Sequence, residues 1–312
     1  MLSRRNIRIK VMQVLYAMSR DKELSHRQAS LLYNDNIRHS FELYLLSLLQ
    51  LMRVAHYAQQ DYAAKQARLR PTDEDKAFLP KLAQNEALKS LEENKGLKSL
   101  FTIHKMEERV TEDNTRLLYN EFAKTDAYKE YLKKADTKAE DHRLILLDLY
   151  KTLTASETFN DLLEDNYLSW QDDKSLVIGA MKKTLKALPV NGSFYQEFEP
   201  TDETVREFGE MLLKQVYEND AELLEHIEPV LKNWDAERVA VLDMVLLKMA
   251  LAELMNFPTI PTKVTLNEFV EISKTYSTDK SKDFINGILD RLMKKLHKEG
   301  KIVKEGRGLI ED

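Results

Sequence analysis

Residues 239–254, VAVLDMVLLKMALAEL, carry apolar side chains on nearly every side of a helix. A surface helix keeps a polar face, so one without it belongs in the middle of a bundle. Asp235 reads as its N-cap, and Pro258 and Pro261 stop it. Downstream, a helix is predicted from Thr262, with Thr265 and Glu268 as a capping box in or near its first turn. A last helix is predicted over 281–298, with Ile285, Ile288, Leu289, Leu292 and Leu296 on one face. Gly300 reads as its C-terminal stop, and the residues beyond as a frayed, polar tail. Upstream, Val205, Phe208, Leu212, Val216, Leu223, Leu224, Ile227 and Val230 predict two helices over 203–232, broken near Asn219 and Asp220.

The rest of the chain has the same period. Ile7, Val11, Val14, Leu15 and Met18 predict a helix over 3–19 with Ser3 as N-cap, and residues 36–69 read as one long helix ending before Pro71. Shorter helices are predicted over 84–94, 114–134, 139–154, 158–168 and 173–188. The segment 188–201 concentrates turn residues and reads as a linker or crossover. No fixed repeat period is visible. The expected fold class is all-α.

Composition agrees: 32% of the 312 residues are charged, with only 8 Gly and 7 Pro, which suits long solvated helices better than a turn-rich β fold. The net charge of -5 is unevenly spread. Residues 1–70 hold 12 Lys+Arg against 5 Asp+Glu, so the remainder is acidic and only a local basic surface is available. With no cysteine there is no disulfide framework or thiolate chemistry. No apolar run approaches the ~18 residues of a membrane span, and no secretory leader pattern opens the chain. A cytoplasmic protein is expected.

An enzyme needs a phosphate cradle, a metal cluster or an activated nucleophile. No GxGxxG, GxxxxGK or HExxH is present, and the seven histidines are scattered. Carboxylate pairs such as Asp172–Asp173 and Glu164–Asp165 read as solvated helix faces. The expectation is a protein that is not an enzyme and uses no cofactor or metal.

One local misfit asks for a reason: Arg4, Arg5, Arg8 and Lys10 crowd the first turns of the first helix, where the macrodipole disfavours cations. The bland reading is a solvated basic helix end. Three blocks of residues point elsewhere. They are SRRNIRIKVMQVLYAM (3–18), VLDMVLLKMALAEL (241–254) and IPTKVTLNEFVEISKTYSTDKSKDFINGILDRL (260–292). Together they hold R-R-x-x-R, Q-x-L-Y, I-P-x-K-V-x-x-N-E-x-V-E-x-x-K and F-x-N-G-x-L-D, in that order. In these blocks the chain resembles the NusB family of transcription antitermination proteins. The likeness covers residues 1–20 and 203–297, roughly a third of the chain. Residues 21–202 read as a family-atypical helical insertion or extension, 203–300 as the family-like C-terminal core, and 301–312 as a polar tail.

The resemblance implies a NusB-like helical bundle that binds the boxA element of ribosomal RNA transcripts as single strand, together with the ribosomal protein NusE, within the RNA polymerase antitermination complex. It implies an RNA-binding set of Arg4, Arg5, Arg8, Lys10, Lys280, Lys282 and Phe284. Clustered guanidiniums pair with phosphates, and an aromatic beside cations stacks unpaired bases. The alternative for Phe284 is a core phenylalanine. The resemblance also sets Asp243 against NusE, its alternative being an exposed strip on a buried helix, and puts Asn286–Gly287 inside a helix, where a missing Cβ permits close backbone approach. Lys248, Glu253, Asn267 and Glu268 read as structural. Two other functions stay open: a protein-protein docking scaffold in ribosomal RNA processing, without direct RNA binding, whose working part is the insertion, and the targeting domain of a ribosomal RNA methyltransferase. No methyl-donor motif accompanies the latter.

Overall fold

Ser3 opens the first helix, α1 (Arg4–Arg20), as a capping box: its hydroxyl accepts the Asn6 N–H, and the Asn6 side-chain oxygen accepts the Ser3 N–H at 3.1 Å. The buried face is the expected one, with Ile7, Val11, Val14 and Leu15 inside. The computed structural model describes residues 2–231 and 238–309, and among these there are helices and no strand. Asp235, the expected cap of the apolar helix, lies outside the described residues.

Chain contacts divide the protein into two units, Arg38–Glu199, and Leu2–Ile37 with Pro200–Asp312. Helix α2 (His26–His56) gives residues to both. It begins earlier than the apolar period suggests because Ser25 and Gln28 form a second capping box, with Ser25 N–H donating to Gln28 Oε1 at 3.0 Å. The expected single helix over 36–69 is interrupted at Tyr57, after which α3 (Ala58–Gln66) continues.

Within the first unit, α2 is buried at every position from 40 to 52. Around this core run α4 (Asp73–Ala77), α5 (Glu86–Glu92), α6 (Lys95–Ile103), α7 (Glu112–Ala123), α8 (Asp126–Lys133), α9 (Ala139–Ala155), α10 (Glu157–Asn166) and α11 (Trp170–Ala187), with α9 packed against α5, α7, α8, α10 and α11. The helix expected over 114–134 is two, because Thr125 caps a new start by accepting the Tyr128 N–H at 3.3 Å. Two buried polar side chains of α2 find partners across the unit: Glu42 accepts from Tyr167 Oη at 2.9 Å and meets His104 Nδ1 at 3.0 Å, and Ser40 donates to Asp173 at 2.9 Å.

The second unit is built around α14 (Val241–Asn256), the apolar helix of the opening stretch. It packs against α1, α12 (Met211–Glu218), α13 (Asp220–Ile227), α15 (Thr262–Tyr276) and α16 (Ser281–Lys298). Its polar members are accounted for, Lys248 pairing with Asp220 at 2.5 Å and Glu253 fully buried against Arg8. Thr265 is no cap: α15 starts at Thr262, and the Thr265 hydroxyl donates to Glu253 Oε1 at 2.8 Å. Burying the Glu253 carboxylate demands such donors, which a solvent-exposed helix start does not.

A π-helical stretch, Glu203–Glu210, precedes α12 and packs on α1. It brings Gly209 against Tyr33 and Ile7. A Cβ there would overlap the Tyr33 hydroxyl and lie 2.6 Å from Ile7 Cγ2, while that hydroxyl is held by donating to Val205 O at 3.0 Å. Gly209→Ala is therefore expected to destabilise this unit by about 1–3 kcal/mol, read as a lower denaturant midpoint. An unchanged midpoint would show that Tyr33 can give way.

The described part of the tail, residues 301–309, is docked, not frayed. Gly300 takes φ +68, and Lys301 N–H donates to Leu296 O at 2.9 Å, ending α16 in a Schellman turn. Beyond it, Lys304 Nζ donates to the carbonyls of Leu254 and Phe257, each at 3.1 Å, and Glu305 N–H to Pro258 O at 3.0 Å. The tail thereby satisfies carbonyls at the C-terminal end of α14, which the helix itself leaves without donors. Among the described residues no helix is long and apolar enough to cross a membrane.

Candidate nucleic-acid interface

The arginines of α1 split into two kinds. Arg8 is 2% exposed, and its guanidinium grips Glu253 with two bonds of 2.7 Å, from Nε and from a terminal nitrogen. It lies over the rings of Phe208, at 5.1 Å, and Phe269, at 5.9 Å. Lys10 is 1% exposed. Arg8 and Lys10, both expected at the RNA surface, are thus inside the fold. For Arg8 the physical reason is that α14 presents a buried carboxylate to α1, and a planar guanidinium is the side chain that can match both its oxygens.

Arg4 and Arg5 stay outside. Arg5 forms a bidentate pair with Glu268, both bonds 2.7 Å, with about half its side chain open to solvent. That pairing raises the Arg5 pKa and holds the Glu268 carboxyl below the ordinary carboxylate range. Arg4 meets Glu203 at 3.4 Å and leans on Phe208. A shallow groove of about 450 Å³ runs past them, with Ile260, Pro261 and Val264 along it. Glu268, read from sequence as bracing a helix start, is instead the carboxylate shared by Arg5 and, at 3.6 Å, Arg8.

The second part of the surface is the start of α16. Phe284 is half-buried and lines a groove of about 490 Å³ together with Val239, Ala240, Gly287 and Ile288. Three exposed cations also line it, Arg238, Lys280 and Arg291. Arg238 and Arg291 were not singled out from sequence; Arg291 was findable, being seven residues, two helical turns, beyond Phe284. Lys282 is exposed as well. Glu271 on α15 links the two parts: its carboxyl is lowered first by its bond from Lys274, and further by the charges of both Arg5 and Lys282.

Asp243 does not face outward with free oxygens. It is 5% exposed, its Oδ1 accepts from Ser277 Oγ at 2.6 Å and its Oδ2 from Ser281 Oγ at 2.7 Å. Those serines flank the turn that starts α16, so the carboxylate of α14 ties down the helix end that carries Phe284. The pair Ser277 and Ser281 is the sequence signal for this, four residues apart at a helix start. Among the described residues no cluster of side chains suits a metal ion.

Residues 180–294 match the sequence model of the NusB family. The match leaves out α1, which the fold packs in one unit with α12 to α16. Three curated relatives, each called transcription antitermination protein NusB, are similar to this chain. The one from Salinibacter ruber is 41% identical over 109 residues, 35% of this chain and 68% of the relative. That from Chloroherpeton thalassium is 37% identical over 110 residues, 35% of this chain and 52% of the relative. That from Natranaerobius thermophilus is 38% identical over 89 residues, 28% of this chain and 64% of the relative. No solved structure matches.

Proposed function

Because the chain belongs to the NusB family, we propose that it serves transcription antitermination as a non-catalytic adaptor, holding boxA-type single-stranded RNA of ribosomal transcripts together with NusE. The observation that carries the reading is Phe284, a half-buried ring in a groove lined by exposed Lys280, Arg238 and Arg291. A base stacked on such a ring leaves its phosphates among the cations, which release counterions as they bind. Arg4, Arg5 and Lys282 extend the phosphate track toward α1. Arg8 and Asp243 act as positioning residues, one fixing α1 on α14 and the other fixing the start of α16.

For the protein partner, a second groove supports the reading. It measures about 500 Å³ and is lined by Leu15, Met18, Val216, Met244 and Val245, with Lys22, Asp220 and Lys248 at hand. Apolar lining with a few charges suits a protein surface better than a polyanion. The unit Arg38–Glu199 takes no part in this reading.

The test is binding of a short boxA-type RNA across salt concentrations, with and without NusE. Affinity is expected to fall steeply with salt and to rise with NusE. Arg5→Ala is expected to weaken binding and reduce the salt slope by about 1. Binding that responds neither to NusE nor to Arg5→Ala would overturn this reading, and a chain that holds a stable protein partner but retains no RNA would favour the docking scaffold.

A further inference from the structure

Glycine is the poorest helix former after proline, so one inside an exposed helical turn lowers helix stability, as Gly179 does in α11 and Gly287 in α16. The constrained glycines of this unit have their reasons inside the chain. Gly209 makes room for Tyr33, Gly308 for the Pro258 carbonyl, and Gly300 adopts a positive φ. Gly287 has none of these. It lies in the interior of α16, is exposed, has no positive φ, and a Cβ built on it would meet nothing within 4 Å among the described residues. Among the described residues, the close backbone approach expected from the Asn286–Gly287 pair does not occur.

Its place in the helix supplies the reason. Phe284, Gly287, Ile288 and Arg291 follow one another at spacings of three, one and three residues, the stripe of a single helix face, and all four line the 490 Å³ groove. A side chain at 287 would project into that groove beside the Phe284 ring. Without one, bare helix backbone forms the floor, and a planar ring stacked on Phe284 can come to van der Waals distance of it. Ile288 bounds the floor with an aliphatic surface, and Arg291 ends it with a guanidinium suited to a base edge or a phosphate.

We propose that Gly287 is a positioning residue for the nucleobase held by Phe284: its missing side chain keeps the groove floor flat, at a cost in helix stability. This rests on the RNA-binding reading above, and it adds a steric requirement that charge and stacking alone do not impose. An apolar groove open to any protein side chain would gain contact from an added methyl; a slot for a flat ring loses it.

The experiment uses the full chain and a short fluorescent single-stranded RNA of boxA type. Wild type, Gly287→Ala and Gly287→Leu are compared by melting temperature, by RNA dissociation constant, and by the slope of affinity against salt. Gly287→Ala is expected to melt higher, by roughly 2–4 °C, since alanine favours the helix and nothing blocks its methyl. It is expected to bind RNA about ten-fold more weakly with an unchanged salt slope, because no phosphate contact is removed. Gly287→Leu is expected to lose more. If wild type binds and Gly287→Ala binds as tightly, the inference is overturned while the RNA-binding reading stands. A lower melting temperature for Gly287→Ala overturns it too, by revealing a structural need for glycine. A wild type that retains no RNA overturns the RNA-binding reading itself, and the inference with it.

Discussion

Glu253→Ala is expected to destabilise the unit formed by α1 and α12 to α16 by about 3–5 kcal/mol, the largest single effect foreseen for this chain. The substitution leaves the Arg8 guanidinium, 2% exposed, without the carboxylate that accepts both its bonds. The Thr265 hydroxyl loses its acceptor at the same time. Domains are stable by only about 5–15 kcal/mol, so this loss is a third or more of the total in most cases. Urea unfolding followed by helix content measures it. The double replacement Arg8→Met with Glu253→Leu should recover most of the loss, since well-packed apolar residues can replace a buried ion pair at little cost. Should Glu253→Ala unfold at the wild-type midpoint, water reaches Arg8 and the pair is not a buried strut.

The second large effect falls on binding. Phe284→Ala is expected to weaken boxA-type RNA by about 1–3 kcal/mol, or roughly 5- to 150-fold, through the loss of one stacking platform. The salt slope should stay the same, because the cations remain. Phe284→Trp should retain affinity. The ring is only half-buried, so the melting temperature should move little. A Phe284→Ala chain that binds as the wild type does, at every salt concentration, would remove the ring from the RNA path and with it the case for the groove of α16.

Much of this architecture was legible in the chain. The helix over 281–298, its glycine stop, the Ser3 cap and the wrapped helix α14 all follow from local rules, since period, capping and backbone preference act within a few residues. The boundaries that depart from the periodic pattern are local too. The Ser25–Gln28 capping box and the Thr125 cap inside the 114–134 pattern are both signals carried within four residues. The docked tail is different: that Lys304 finds the carbonyls of Leu254 and Phe257 is a long-range fact that no local pattern contains.

The candidate site divides along the same line. Period and composition are enough to make the chain helical, to gather cations near the start of α1, and to stand an aromatic beside lysines near the start of α16. Which of those cations face solvent depends on how the helices pack. Arg4, Arg5 and Arg8 are the same residue type within one helix turn and a half, yet Arg8 is claimed by a carboxylate 245 residues away while Arg5 remains half open. Packing likewise turned Asp243 inward onto Ser277 and Ser281 and left Gly287 facing an open groove. The reason is physical: helix period depends on neighbours in the chain, whereas burial of a charge depends on whether a distant partner can repay its desolvation, and that is settled only when the helices pack.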